Sequence, residues 1–490
     1  MDIPSFFSDK QYIMNFDYDS ITEFIDSEID ESFYIENLSI PLDKKIICKD
    51  YFKSILLGYN HIYIDKLLET YQTHTNICLP LLHRWEEETK INNMVIISDP
   101  EDGERICKTH IKKAPIFTSF LYDSLISTTD NNDWKQQRDT MNIAFVPSLS
   151  LKKVFSKSNE RAELCSNLLK DMSHNFTRSV NMSEFFLNET QAQLQLSMFG
   201  FSNEFQDKTN KKIRNAFAGI DVTYTEQFTD EALEEVKVSH GPLSKIIDID
   251  HNDVRKNKSN LLIFAFAGHD TTGHTLSWLL YELCNHPKYK QELKEEVDKY
   301  WLHHNEPTYN TLNELPFMTK CITETLRLWP ALANGTYREL EHDELIKGID
   351  GNPVSVPKGT YCQIINWTRH RSSELWGDDV TDFNPYREFK DSEIWNYEGF
   401  GTTNLQSERF SPFTYGPRNC IGKNFSHMEM RLILLYLFKN YDFELSKDQL
   451  QMKEKYTYEG VNLFTLGPGS IKNDELLGMY INIIPRFPRL

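Results

Sequence analysis

Several things are scarce in this 490-residue chain, and each scarcity excludes something. Its eight cysteines are scattered at positions 48, 78, 107, 165, 284, 321, 362 and 420, with no C-x-x-C pair. A disulfide framework or a structural zinc site would need tighter spacing, so a reducing compartment fits better. No run of about 18 uninterrupted apolar residues exists to serve as a transmembrane anchor. The first residues, Met1-Asp2-Ile3-Pro4-Ser5-Phe6-Phe7, lack the basic region and apolar stretch of a signal peptide. A cytoplasmic protein, soluble or peripherally membrane-associated, is expected. Basic charge is short too: 53 Lys+Arg against 72 Asp+Glu leave a net −19, which argues against nucleic acid as a partner. No Pro/Gly/Ser-rich linker, internal repeat or G-x-G-x-x-G loop interrupts the chain.

What is present is apolar and aromatic. Hydrophobic residues make up 40%, with 31 Phe and 23 Tyr, enough for a large packed core. Residues 1–50 stand apart, with 12 Asp/Glu against 4 Lys. Such a run reads as a solvated acidic extension, although Phe6, Phe7, Tyr12, Phe16, Tyr18 and Phe24 make it too aromatic for full disorder. Residues 51–490 read as one domain. Met94–Ser98 is a short β-branched run stopped by Asp99-Pro100, hence a strand, with a helix over Pro100–Thr109. Ser259–His286 carries a nearly unbroken helical pattern that Pro287 ends, roughly 40 Å long and apolar all round at Leu261–Phe266. Helical patterns dominate elsewhere, with short strands such as Tyr361–Asn366. The class is mainly α with a small β portion.

The most telling stretch is Phe413-Thr414-Tyr415-Gly416-Pro417-Arg418-Asn419-Cys420-Ile421-Gly422. Each residue has a reason if Cys420 is a thiolate on haem iron. Gly416 and Gly422 would let the backbone run close to a flat macrocycle. A turn of this kind aims backbone N–H groups at the sulfur and tunes its electron donation. Arg418 offers a planar fork of donors suited to a propionate. The alternative is a structural cysteine beside an accidental turn; four constrained positions around one Cys weigh against it.

This segment resembles the F-x-x-G-x-R-x-C-x-G signature of the cytochrome P450 family, without a departure. The resemblance implies haem b (iron protoporphyrin IX) with Cys420 as axial iron ligand, and a fold whose long central helix crosses the haem. Other motifs agree. Ala267-Gly268-His269-Asp270-Thr271-Thr272, inside the long helix, is similar to the family's oxygen-activation motif, which gives Asp270 and Thr271 the catalytic roles and His269 none. Trp134-Lys135-Gln136-Gln137-Arg138 resembles W-x-x-x-R, whose indole and guanidinium reach propionates. Arg338 matches a strand arginine with the same duty. Glu324-Thr325-Leu326-Arg327 with the later Arg387 resembles the buried triad that supports the cysteine loop. Phe413, Gly416 and Gly422 complete the cofactor-binding set. The family resemblance covers about residues 90–465, and residues 1–50 resemble nothing in it.

The expected function is a haem-thiolate monooxygenase that inserts one oxygen atom of dioxygen into a small hydrophobic substrate. Electrons would come from a separate reductase or ferredoxin. The alternatives are a haem-binding sensor without turnover, or an isomerase or peroxygenase of the same type. Lys135, Lys423, Arg431 and Lys439 are candidates for a basic docking patch behind Cys420. Only 66 residues separate Gly200 from Ala267, a short and polar stretch where the family places helices over the substrate. An open chamber, or one closed by something else, is expected.

Overall fold

One helix, Val254–Asn285, organises the molecule; at 32 residues it is about 48 Å long. Asp253 starts it, its side chain accepting the Lys256 amide, and Pro287 opens the next helix, Pro287–His303. The helix starts five residues before the expected Ser259, because the first turn, Val254–Lys258, carries no apolar pattern to signal it. The computed structural model describes residues 18–486 except 31–32, 57–59, 72, 74, 86–87, 116–120, 122, 147–149, 218–222, 250–252, 396–405, 447–451, 459–463 and 473–474.

Leu261 to Phe266 are all buried, as an all-round apolar stretch requires. The helix Met182–Gln193 runs against this one. Their approach explains the two mid-helix glycines. A Cβ on Gly273 would lie 2.9 Å from Leu187 Cδ2 and 3.0 Å from the Leu187 backbone, and one on Gly268 would lie 2.8 Å from Leu194 Cδ2. Helices dominate and strands are short, so the mainly α class with a small β portion holds.

The largest sheet has four strands, in the order Ile77–Trp85, Glu88–Ile97, Tyr361–Ile364, Thr336–Glu339. Its central pairing is parallel, Met94 opposite Tyr361 and Ile97 opposite Ile364. Tyr361–Ile364 then pairs antiparallel with the strand bearing Arg338, which faces Cys362. Asp99 turns the chain out of this sheet by accepting the amides of Glu101 and Asp102, with Pro100 at the helix start. Strand Tyr361–Ile364 is two residues shorter than its pattern, because Asn366 already begins the helix Asn366–His370.

Residues 18–50 pack onto the body where they are described. Ile25 and Leu38 are fully buried, and Leu38 O accepts the Cys78 amide at 2.8 Å. The helix Lys44–Leu56 runs straight through position 50. The short polar stretch before the long helix folds into three helices, Asn203–Phe217, Tyr224–Val238 and Pro242–Ile249. Their apolar faces turn inward: the Phe217 ring meets Phe266 at 5.4 Å and His269 at 5.6 Å.

Candidate functional site

Cys420 lies in a tight turn just before the helix Lys423–Asn440. Its amide donates to Phe413 O at 2.8 Å, and the Asn419 amide to Gly416 O at 3.1 Å. Gly416 has φ +64°, and a Cβ there would stand 2.6 Å from Cys107 O. Its reason is therefore the close approach of the loop to the end of helix Pro100–Thr109, rather than to a macrocycle. Gly422 does face the sulfur: its Cβ position is 4.0 Å from Cys420 Sγ. The thiol opens into a cavity of about 230 Å³. Its depth raises the thiol pKa, while the Gly422 amide, Arg138 and Lys423 pull it back toward the thiolate.

The walls of this cavity are largely apolar, including Leu121, Phe145 and Phe264, with Phe413 beside the cysteine loop. At one end three cations gather. Arg418 donates to Ile111 O at 3.0 Å and Thr128 O at 3.2 Å, and its guanidinium stacks 4.4 Å over the Trp134 ring. Its Nη1 finds no partner among the described residues. Arg338, fully buried behind, spends Nη1 on Thr336 Oγ1 and Tyr337 O, leaving Nε and Nη2 without a partner among the described residues. Lys113, which sequence reasoning missed, donates to Thr336 Oγ1 at 2.7 Å. Burial, then Arg338 and Arg418, hold its pKa well below the ordinary lysine value. Burial and Arg338 bring Arg418 down to about 9. Buried cations clustered with orphaned N–H groups are complementary to a paired anion.

Arg138 is committed differently from expectation. Nη1 donates to Asn419 O and Nη2 to Asn419 Oδ1, both at 2.7 Å. It clamps the residue next to Cys420 and places positive charge by the sulfur. Trp134, one turn earlier on the helix Asn131–Asn142, lines the cavity beside it.

Across from the cysteine loop the long helix presents Gly268, Thr271, Thr272 and Thr275 to the cavity. The Thr271 hydroxyl rests on Ala267 O at 3.0 Å and Thr275 on Thr271 O at 2.9 Å. Asp270 does not join them. It is buried facing the other way, with Oδ1 3.6 Å from His274 Nδ1. His269 packs between Phe217 and Phe266, held neutral by burial with a pKa of about 4.

Glu324, Arg327 and Arg387 come together. Glu324 receives Arg327 through two bonds of 2.7 and 2.8 Å and Arg387 at 3.2 Å, and the Asn384 amide at 3.0 Å. Arg327 continues to His370 O, and His370 Nε2 accepts the Ser411 amide at 3.0 Å. Arg369 adds a bond to Ser411 Oγ at 2.7 Å. The three charged residues thus reach Ser411, just before the cysteine loop, through His370.

The basic docking patch does not form. Arg431 is fully buried, stacked 4.1 Å over Trp395 and bonded to Thr319. Lys423 is buried, Lys439 lies 3.5 Å over the Trp301 ring, and exposed Lys135 sits by Asp139. Helix Lys423–Asn440 is enclosed along most of its length, which buries Lys423 and Arg431 and leaves Lys439 exposed at its end. One cluster with metal-ligand character, His110, His342 and Glu344, is also internally committed. His110 Nδ1 accepts the Glu341 amide, so Nε2 carries the proton it gives to Glu344 and has no lone pair for a metal.

Residues 225–469 match the family profile of cytochrome P450. The chain belongs to this family. Its curated relatives include cytochrome P450 3A12 of Canis lupus familiaris, 34% identical over 200 residues that cover 41% of this chain and 36% of that protein. Cytochrome P450 3A28 of Bos taurus is 30% identical over 276 residues, 55% of this chain and 49% of that one. The cytokinin hydroxylase of Arabidopsis thaliana is 31% identical over 230 residues, covering 44% and 40%. The matched region thus spans less than half the length of these relatives. Members of the cytochrome P450 family bind haem through a cysteine thiolate. The thiol floor, apolar walls and unpaired cationic end fit that group. No helix among the described residues is long and apolar enough to cross a membrane.

Proposed function

We propose that this cytochrome P450 is a haem-thiolate monooxygenase, transferring one oxygen atom of dioxygen to a small apolar substrate. The observation that carries the reading is a single cavity with the Cys420 thiol on one wall and the Thr271 hydroxyl among the long-helix groups on another. The unpaired guanidinium N–H groups of Arg338 and Arg418 add the anion-binding end. Haem b held there supplies dioxygen binding and the oxidising chemistry. Each turnover consumes two electrons and two protons besides dioxygen and substrate. We assign the electrons to a separate reductase or ferredoxin.

The chain's own residues bind, orient and move protons. Cys420 would hold the haem iron through its thiolate, whose charge the Gly422 amide and Arg138 favour. Arg418, Arg338, Lys113 and Trp134 would hold the propionate end, with Phe413, Gly416 and Gly422 shaping the loop. Thr271 keeps a hydroxyl proton at the cavity face, and Asp270 is the acid behind it. Glu324, Arg327 and Arg387 fix the loop. We read residues 51–490 as the haem domain and residues 1–50 as an acidic addition to it. Eight unpaired cysteines support a cytoplasmic, reducing setting.

Cys420→His tests the reading. The wild-type protein, reduced and exposed to carbon monoxide, is expected to give the red-shifted Soret band of thiolate ligation, and the variant is expected to lose it. A variant that keeps the band overturns the assignment.

A further inference from the structure

Trp278 and Trp329 stack face to face, with ring centroids 3.8 Å apart and planes 4° from parallel. Trp278 sits on the long helix one turn beyond Thr275 of the cavity wall, about 4.5 Å along the axis. Trp329 ends the helix Pro316–Leu328 and shortly precedes Ala331 and Leu332, which also line the cavity. Two wall elements thus bring their indoles together just behind the cavity.

Packing alone would be served by any flat apolar pair. The groups around Trp329 do more. Its Nε1–H donates to Glu282 Oε1 at 2.7 Å, and Glu282 is buried on the same helix as Trp278. The other oxygen of Glu282 lies 3.4 Å from Nδ1 of His286, a half-exposed residue. Burial raises the Glu282 pKa against the pull of the Trp329 N–H, His286 and Arg371, so its carboxylate is a stronger base than an exposed one. The Arg371 guanidinium lies 4.7 Å over the Trp329 ring and 3.8 Å over Trp367.

Indole is among the side-chain groups most readily oxidised by one electron, and losing that electron turns its N–H into a strong acid. Stacking spreads the positive charge over two rings. Arg371 opposes a positive charge on Trp329 but not a neutral radical. Glu282 is placed to take the proton that makes the radical neutral. Trp367 is a poorer resting place, being closer to the guanidinium and with its N–H 3.3 Å from Asp65.

We propose that the Trp278–Trp329 stack is a one-electron oxidation site that draws oxidising equivalents out of a cavity without substrate, the radical resting on Trp329. The inference rests on the haem-thiolate reading. In the step, hydrogen peroxide takes two electrons, one from haem iron and one from Trp329 by way of Trp278. The Trp329 Nε1–H bond breaks and its proton goes to Glu282 Oε1. An electron from the external donor, with the proton from Glu282, restores the indole.

The test mixes ferric holoprotein, free of substrate, with hydrogen peroxide and freezes it within milliseconds for electron paramagnetic resonance. Ring-deuterated tryptophan in the protein identifies an indole radical by the narrowing of its signal. The wild type is expected to give such a radical without coupling to an exchangeable N–H proton. Trp329→Phe is expected to keep the thiolate-type Soret band with carbon monoxide and to lose the signal. If that variant does not fold, Trp278→Phe decides, with the signal expected to fall. Glu282→Gln keeps a hydrogen-bond acceptor and removes the base, so its radical is expected to regain an N–H coupling that heavy water abolishes. An uncoupled signal in Glu282→Gln would remove Glu282 as the proton acceptor. A tryptophan signal that survives Trp329→Phe and Trp278→Phe overturns the proposal. So does a tyrosine radical, or no radical at all, in a protein with the thiolate-type Soret band. A wild-type protein without that band would instead overturn the haem-thiolate reading itself.

Discussion

At the scale of single residues, charge at the cavity's rim is set against burial. Lys113 shares Thr336 Oγ1 with Arg338, and both stand close to Arg418. Without an anion the three repel one another in a poorly screened interior; with two propionates they are balanced. Lys113→Met is therefore expected to stabilise the haem-free protein and weaken its hold on haem. One charge-assisted hydrogen bond is worth roughly 1.5–3 kcal/mol, so haem transfer to a scavenging apo-globin should accelerate by about tenfold or more. A variant with wild-type transfer kinetics would remove Lys113 from the propionate end. Arg418 and Arg338 were legible because they sit in or near a motif. Lys113 was not, since its relevance arises only when the loop before Trp134 is laid against the strand Thr336–Glu339.

Among elements, the long helix and its neighbour show how glycine sets a distance. Gly273 faces the backbone of Leu187, which cannot retreat, whereas Gly268 faces the movable tip of Leu194. Alanine raises helix propensity by about 1 kcal/mol at either position. Overpacking against backbone costs roughly 1–3 kcal/mol and outweighs that gain, while a side-chain tip can swing aside. Gly273→Ala should thus lower the thermal midpoint clearly and Gly268→Ala little, as read by calorimetry of the holoprotein. Equal midpoints would show that the helices can part freely. The sequence marked this helix by its apolar run and its terminal proline. It could not mark the partner, because Met182–Gln193 is rich in polar residues such as Glu189, Gln191 and Gln193, which are buried all the same.

For the whole molecule, buried carboxyls bias stability toward lower pH. Desolvation raises Glu429 well above its ordinary value and Glu189 to about 7. Between the ordinary carboxyl value of about 4.3 and these raised ones, the folded state keeps protons that the unfolded state has lost. Unfolding then releases protons, so stability is full below that window and falls as pH rises through it. For Glu429 alone the folding constant drops as much as tenfold per pH unit. Glu429→Gln removes this group's share. Its thermal midpoint relative to wild type is expected to rise steadily from pH 5 to pH 8. A constant difference would mean that Glu429 is ionised in the folded protein.

The sequence alone determined what depends on local chemistry. A cysteine in a constrained turn, a helix-length apolar run ended by proline, and a Glu/Arg pair three residues apart each state their geometry within a few positions of the chain. Cys420, Thr271 and the Glu324–Arg327 pair lie where that local logic sent them. Tertiary structure decided everything that depends on which way a side chain turns once helices pack. It turned Asp270 toward His274 and away from the cavity, tied Arg138 to Asn419, and buried Arg431 and Lys423 within the helix that carries them. It also brought Lys113 and Glu429 to the cavity wall. The physical reason is that a helical pattern fixes which residues share a face, but only packing fixes what that face meets.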